Sequence, residues 1–273
     1  MTCRRGSPSA RSAGSHGWPT AAAGATKLPQ PQAPPNPLGA LAAACLGAGQ
    51  VFLALIGHPL LAAPIELSLH SLASALPGTL APGPALRDML PIEALLVGCG
   101  GVANGWTYAV KRLPLTGAIE AVDHQALRPA NFGAYVCAGR SSLTRPKAKM
   151  IRDELAPAIH VTPRAERFRF FNARIGYGQM VVPGLVISAL DNPHTRHDVQ
   201  RLWSPTTIDL AAEELTAQVI VKDLRDDGIC LLEAYTVPDG EPDELAPRRR
   251  DRARTHSPTR TWSIGKVSEN WLA

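Results

Sequence analysis

Aromatic residues are scarce in this chain: Phe, Trp and Tyr together make up 5% of its 273 residues. A core here must therefore be built mostly from Ala, Leu and Val, within an overall hydrophobic fraction of 45% that is ordinary for a globular protein. Cysteine is also sparse. Cys3, Cys45, Cys99, Cys137 and Cys230 are scattered, and no two stand in C-x-x-C spacing. That pattern excludes a disulfide framework. It also argues against a tetrahedral structural zinc site, and it fits a reducing cytoplasm. No Ser/His/Asp spacing of the catalytic-triad kind is present. Between Leu38 and Pro64 there is no Asp, Glu, Lys or Arg, a stretch long enough to span a bilayer. Its Ala and Gly content, and the breaks at Gln50, Gly57, His58 and Pro59, argue against a transmembrane helix. Leu41, Leu46, Val51, Phe52, Leu55 and Ile56 recur near helical spacing, as in a buried helix. The N-terminal arginines precede no compact apolar segment with a cleavage site, so no secretory signal is expected.

The positive excess lies at the ends. Of a formal net charge of +5, Arg4 and Arg5 belong to one tail, and Arg248, Arg249, Arg250, Arg252 and Arg254 to the other. A basic tail can bind phosphates, but no aromatic residues interleave with this run as stacking platforms. It reads as a solvated tail, with no nucleic acid partner expected. Residues 1–37 are rich in Pro, Ala, Ser and Gly and read as disordered. Residues 38–89 read as a helical extension, two helices broken near His58-Pro59, followed by a Pro-rich linker. Residues 90–240 form the folded domain, and residues 241–273 a second disordered, basic tail.

Within the folded domain, strands alternate with helices. Ile92 and Ala94–Val97 form an apolar strand that ends at Gly98-Cys99-Gly100-Gly101, and a helix follows through Trp106–Val110. Ala118–Val122 is a second strand, closed by Asp123. Pro146–Leu155 reads as a helix with proline in its first turn, and Ile159–Val161 as a short strand. Leu185–Leu190 is a buried strand ending at Asp191, and Asn192-Pro193 supplies the cap and first turn of a helix through Trp203. Thr207–Leu210 and Gln218–Val221 are further strands. The expected fold is α/β: a Rossmann-like, mostly parallel sheet with helices on both faces.

The glycine turn follows a strand and opens a helix, as phosphate binding requires. Small residues let the backbone approach phosphate oxygens, and the helix N-terminus adds partial positive charge. Ala103 fills the third small-residue position, and Asp123, about 22 residues beyond Gly101, can accept from ribose hydroxyls. This pair would equally suit an NAD-dependent oxidoreductase.

Asp123 is followed by Leu127 and Asn131, then by Arg145-Pro146-Lys147-Ala148 at a helix start, then by Asp191-Asn192 and Arg196. From about Leu90 to Tyr235 this ordered set resembles the ThiF-type adenylyltransferases, the bacterial relatives of ubiquitin-activating enzymes. The stretch Leu38–Leu76 looks like the N-terminal extension of some bacterial members. The resemblance implies that Gly98, Gly100 and Gly101 form the nucleotide loop of an ATP site, with Asp123 as the ribose ligand. It implies that Asn131 helps to hold the triphosphate, that Lys147 neutralises phosphate charge and that Asp191 coordinates Mg²⁺. It also implies a substrate, the C-terminal carboxylate of a small ubiquitin-like or sulfur-carrier protein, converted to an acyl-adenylate. Such a carboxylate is ionised at neutral pH and needs no general base. Members commonly form homodimers, and the Ala-rich helices could supply an interface or cover the sheet.

Each assignment competes with an ordinary one. Asp191 before Asn-Pro suits a helix cap, Lys147 a solvated surface lysine, and Asp123 a plain turn residue. Three positions depart from the family. Ala134 stands where an arginine usually follows the asparagine, with Arg140 able to reach in or to remain on the surface. Gln125 stands where a second acidic residue is common. Cys230-Leu231-Leu232-Glu233 stands where a first zinc C-x-x-C is common, so no structural zinc is expected. Cys230 itself, among Ile229, Leu231 and Leu232, reads as an inert cysteine in a buried strand. A catalytically degenerate nucleotide- or partner-binding module is therefore a rival to the enzyme.

Overall fold

A computed structural model describes residues 13–15, 18–22, 36–58, 65–76, 79–178, 180–213, 216–225 and 230–235. The chain divides into two compact units, Met1–Asp88 with Arg112–Pro114, and Met89–Lys111 with Leu115–Ala273.

The first unit holds β1 (Ala13–Ser15), β2 (Pro19–Ala22), α1 (Pro37–Leu55), β3 (Ile65–Ser68) and β4 (Ser74–Ala75), with the strands forming one antiparallel sheet in that order. Asn36 starts α1 by accepting from the amides of Leu38 and Gly39, with Pro37 in the first turn. Two expectations are corrected here. Part of the segment read as a disordered N-terminal tail is strand. The second helix, expected between His58 and Leu76, is replaced by β3, a turn and β4. The reason is local. The Ser68 hydroxyl accepts from the amides of His70 and Ser71, offering the backbone a turn instead of a helix. The buried Glu66 carboxylate accepts from Thr79 and Leu80, tying the following loop back to β3. The apolar residues of α1 also differ from expectation, since Val51, Phe52, Leu55 and Ile56 are exposed and only Gly39 and Ala43 are buried. By length and composition α1 could cross a membrane.

The second unit is an α/β fold. Its strands are β5 (Leu90–Val97), β6 (Leu115–Val122), β7 (His160–Arg164), β8 (Leu185–Ser188), β9 (Thr206–Glu213) and β10 (Thr216–Asp223). They form one sheet in the order β10-β9-β8-β5-β6-β7, parallel throughout except for the antiparallel β9–β10 pair. Its helices are α2 (Gly101–Val110), α3 (Lys147–Leu155), α4 (Phe168–Gly176), α5 (Pro193–Gln200) and the short α6 (Leu231–Ala234).

Alternation along the strands sends side chains to two faces. Leu96, Ile119, Ala121 and Ile187 pack against Ala103 of α2 and Ala148, Ile151 and Leu155 of α3. Leu95, Val97, Val122 and Val186 pack against Phe168 and Phe171 of α4, Val199 of α5 and Leu231 of α6. Each fully buried Leu or Val contributes about 1.5–3 kcal/mol relative to exposure, so these two layers hold the sheet. Phe168, Phe171 and Ile175 share one face of α4, a helix hidden in sequence by the arginines between them. Cys230 is not in a strand: it caps α6 and is half-buried, because Glu233 folds back to accept from its amide. Residues 241–273, read as a disordered tail, lie outside the described residues.

Candidate functional site

The chain runs β5, β6, β7 outward and then returns to place β8 beside β5 on the other side. The loops leaving β5 and β8 therefore diverge at the carboxyl end of the sheet, where open α/β sheets form a crevice. Gly98, Asp123 and Asp191 lie just beyond those strand ends.

Gly98 has φ +84°, and its amide donates to the Val122 carbonyl at 2.9 Å. A Cβ there would stand 2.7 Å from the Ala189 carbonyl oxygen. Both facts require glycine. A Cβ on Gly101 would stand 3.0 Å from both the Cβ and the carbonyl oxygen of Ala134. Gly100 is the N-cap of α2, and no side chain caps that helix. The first amides of α2 thus have no intrahelical acceptor. By contrast, Asn192 caps α5, accepting from His194 and Thr195 at 2.8 and 3.4 Å.

That last contact bears on Asp191. The cap of α5 is Asn192, so the ordinary reading of Asp191 as a helix cap is corrected. Asp191 is exposed, and after burial, Asp123 and Cys99 it adds to the upward shift of the Tyr135 hydroxyl pKa.

Asp123 is more than a turn residue. One carboxylate oxygen accepts from the Cys99 amide at 2.8 Å and the other from the Gln125 amide at 2.7 Å, clamping the glycine turn to the end of β6. Each oxygen retains a lone pair that could accept from a ribose hydroxyl. Cys99 is buried, and its thiol is pushed well above its ordinary pKa, first by burial and then by Asp123, with Lys147 opposing. It remains a neutral filler.

Lys147 arrives through backbone pairing. Its amide donates to the Gln125 carbonyl at 2.9 Å, Leu127 donates to Arg145 at 2.9 Å, and Ala126 bridges Pro146. The segment after β6 thus delivers the first residue of α3 to the site. Reading Lys147 as a solvated surface lysine is corrected, for it is only 5% exposed. Its Nζ donates to Gln125 Oε1 at 2.6 Å and stands 5.7 Å from the centre of the Tyr135 ring. Among the described residues no carboxylate oxygen comes within 4.0 Å of it. A cation in the first turn of a helix also opposes the helix dipole.

Tyr135 had no signal in the sequence beyond its rarity. It sits in a small cluster with Leu127 and Met150, and its hydroxyl donates to the Cys99 carbonyl at 3.2 Å. Burial, then Asp123, Cys99 and Asp191, push its pKa up, so it stays a neutral donor. Asn131 is engaged locally: its side-chain oxygen accepts from the Arg128 amide at 2.9 Å and closes the turn Pro129–Ala134. Arg140 is exposed, and Arg145 pairs with Asp153. Arg196 is a brace, 4% exposed. It bonds Asp209 at 2.7 Å, donates to the Leu190 carbonyl and stacks 4.2 Å from the Tyr235 ring centre. Tyr235 in turn donates to Asp209 at 2.6 Å. Asp209 and Tyr235 escaped the sequence reading because their pairing crosses from β9 to the end of α6.

Among the described residues no group of three or more His, Cys, Asp or Glu could hold a metal ion by itself.

No family model matches the chain. One stretch is 33% identical over 124 residues to the uncharacterized protein y4jF of Sinorhizobium fredii (strain NBRC 101917 / NGR234), covering 41% of this chain and 22% of that protein. Among solved structures, E. coli MccB with ATP is similar at a TM-score of 0.37 and 17% identity, over 43% of this chain and 36% of that one. MccB with MccA-N7isoASN gives 0.38 and 16%, over 44% and 35%. The E. coli tRNA threonylcarbamoyladenosine dehydratase TcdA gives 0.35 and 19%, over 42% and 50%. The chain thus spans half or less of each of these proteins, and similarities this remote assign no activity.

Proposed function

We propose that this chain binds ATP with Mg²⁺ at the carboxyl end of its parallel sheet and adenylates the C-terminal carboxylate of a small ubiquitin-like or sulfur-carrier protein. One observation carries the reading: Lys147 is a buried cation beside the glycine turn, with a neutral amide as its partner and, among the described residues, no carboxylate in ion-pair reach. Buried charges are normally paired, because desolvation without compensation is expensive. An entering phosphate supplies the missing charge. The uncapped α2 N-terminus and Gly98–Gly101 offer amides to the same anion.

In this reading Asp123 accepts from the ribose, and Asp191 is the carboxylate assigned to Mg²⁺. That ion, when bound with the nucleotide, would neutralise charge on the phosphates. In the reaction a carboxylate oxygen attacks the α-phosphorus, the bond to the pyrophosphate oxygen breaks, and pyrophosphate leaves. The residues of this chain contribute position and charge rather than a proton acceptor.

ATP–pyrophosphate exchange in the presence of a candidate carrier tests this directly. Exchange dependent on carrier and Mg²⁺ is expected. Binding of NADH without ATP binding would instead support an oxidoreductase. A second reading has its own observation: Ala134, where the family carries arginine, puts only a methyl group against Gly101. A nucleotide-binding module without turnover would bind ATP and show no exchange with any carrier.

A further inference from the structure

We infer that the carboxyl end of α1 inserts into one leaflet of a lipid membrane, entering and leaving from the same side. The inference concerns the first unit alone and stands or falls independently of the nucleotide-site reading.

The buried residues of α1, Gly39 and Ala43, lie in its first half. Its last turns differ. Val51, Phe52, Ala54, Leu55 and Ile56 are all exposed, Leu55 to 80%. At 3.6 residues per turn these side chains point in most directions around the helix axis. A second copy or another protein would cover one stripe of such an end, whereas acyl chains surround it. No Asp, Glu, Lys or Arg stands between Leu28 and Ile65, so no charged group opposes entry.

The helix end is also closed as hydrocarbon requires, where backbone groups find no water and must bond internally. The Ile56 amide donates to the Phe52 carbonyl at 3.1 Å, Gly57 to Ala54 at 3.3 Å and His58 to Leu53 at 2.9 Å. Gly57, at φ +72°, allows this closing turn. The glycine that breaks the apolar run in sequence is thus what ends α1 within the leaflet.

Insertion rather than crossing follows from the connections. Residues 57–64 alone join α1 to β3, far short of the about 20 residues a second crossing would need. β3 then pairs with β2, the strand that precedes α1, so the chain leaves one sheet and returns to it on one side. Before Glu66 the charged side chains are Arg4, Arg5, Arg11 and Lys27, all positive, which favours anionic headgroups.

Flotation of the full chain with vesicles of phosphatidylcholine, alone or mixed with phosphatidylserine, reads the insertion. The wild type should float with both and more completely with the second. Phe52→Asp combined with Leu55→Asp should lower the floated fraction roughly tenfold or more, the worth of one large apolar side chain. Its lipid-free Tm should stay level, because both positions are exposed. If that variant melts early, Leu55→Ser alone is read in the same way. On vesicles Cys45, exposed and ahead of the inserted turns, should still react with a membrane-impermeant maleimide. Protection of Cys45 would mean a deeper or crossing helix and overturns the one-leaflet geometry. A wild type that does not float, or a double variant that floats equally, overturns the inference. Dimers without flotation, lost in the double variant, would overturn it by giving this surface to a second copy.

Discussion

Two buried cations stand at the carboxyl end of one sheet, under helices on opposite faces. Lys147 on α3 is 5% exposed and Arg196 on α5 is 4% exposed. Arg196 is saturated, with the Asp209 carboxylate, the Leu190 carbonyl and the Tyr235 ring around it. Lys147 meets one amide oxygen and one ring. Equal burial with unequal compensation sets the two cations apart. A cation paired with a carboxylate locks its neighbours, whereas one held only by neutral groups keeps its charge open to an anion.

The largest expected effect comes from breaking the compensated side. Arg196→Ala leaves the Asp209 carboxylate buried without its cation and should cost about 3–5 kcal/mol of stability, read by urea denaturation. A loss under 1 kcal/mol would mean that the pair behaves like a surface salt bridge. Next is Lys147→Ala, whose signature is inverted. It should weaken ATP binding by about 1.5–3 kcal/mol, while the ligand-free Tm stays level or rises. A fall in Tm matching that of Arg196→Ala would erase the distinction between the two sites.

Tyr235→Phe removes the hydroxyl that donates to Asp209 and should cost about 1 kcal/mol, with ATP affinity little changed. Equal loss of affinity and stability would show that the brace reaches the nucleotide site. The smallest effect is in alkali. Burial, as the first cause, raises the pKa of both the Tyr135 and Tyr235 hydroxyls. The folded chain therefore holds these protons more tightly than the unfolded chain does. Their contribution is complete below about pH 10, the ordinary tyrosine value. It falls as pH rises beyond that, because the unfolded chain ionises first. Replacing both with Phe should flatten the alkaline limb of stability against pH, and an unchanged limb would assign it to other groups.

Most of the second unit was legible in the sequence. β5, β6, β8 and the strands of the β9–β10 hairpin declare themselves as apolar runs, and the glycine turn and Asn192-Pro193 mark where helices begin. The first unit was not. Its Ser68–Ser71 turn diverts the chain from helix to strand, and its apolar α1 shows no side in sequence because it is uncharged all round.

At the site the division is sharper. The residue types and their order along the chain, glycines, Asp123, Lys147 and Asp191, follow from sequence alone, since each needs only its place at a strand or helix end. Which carboxylate meets which cation does not. Arg196 finds Asp209 through the pairing of β8 with β9, and Lys147 finds Gln125 through the bridge between Ala126 and Pro146. Compensation is a matter of a few ångströms in a poorly solvated interior, where screening is weak and one neighbouring charge decides the balance. The sequence by itself determined which glycines, carboxylates and lysine stand at the strand and helix ends. Tertiary structure decided which cation meets a carboxylate and which is held only by neutral groups.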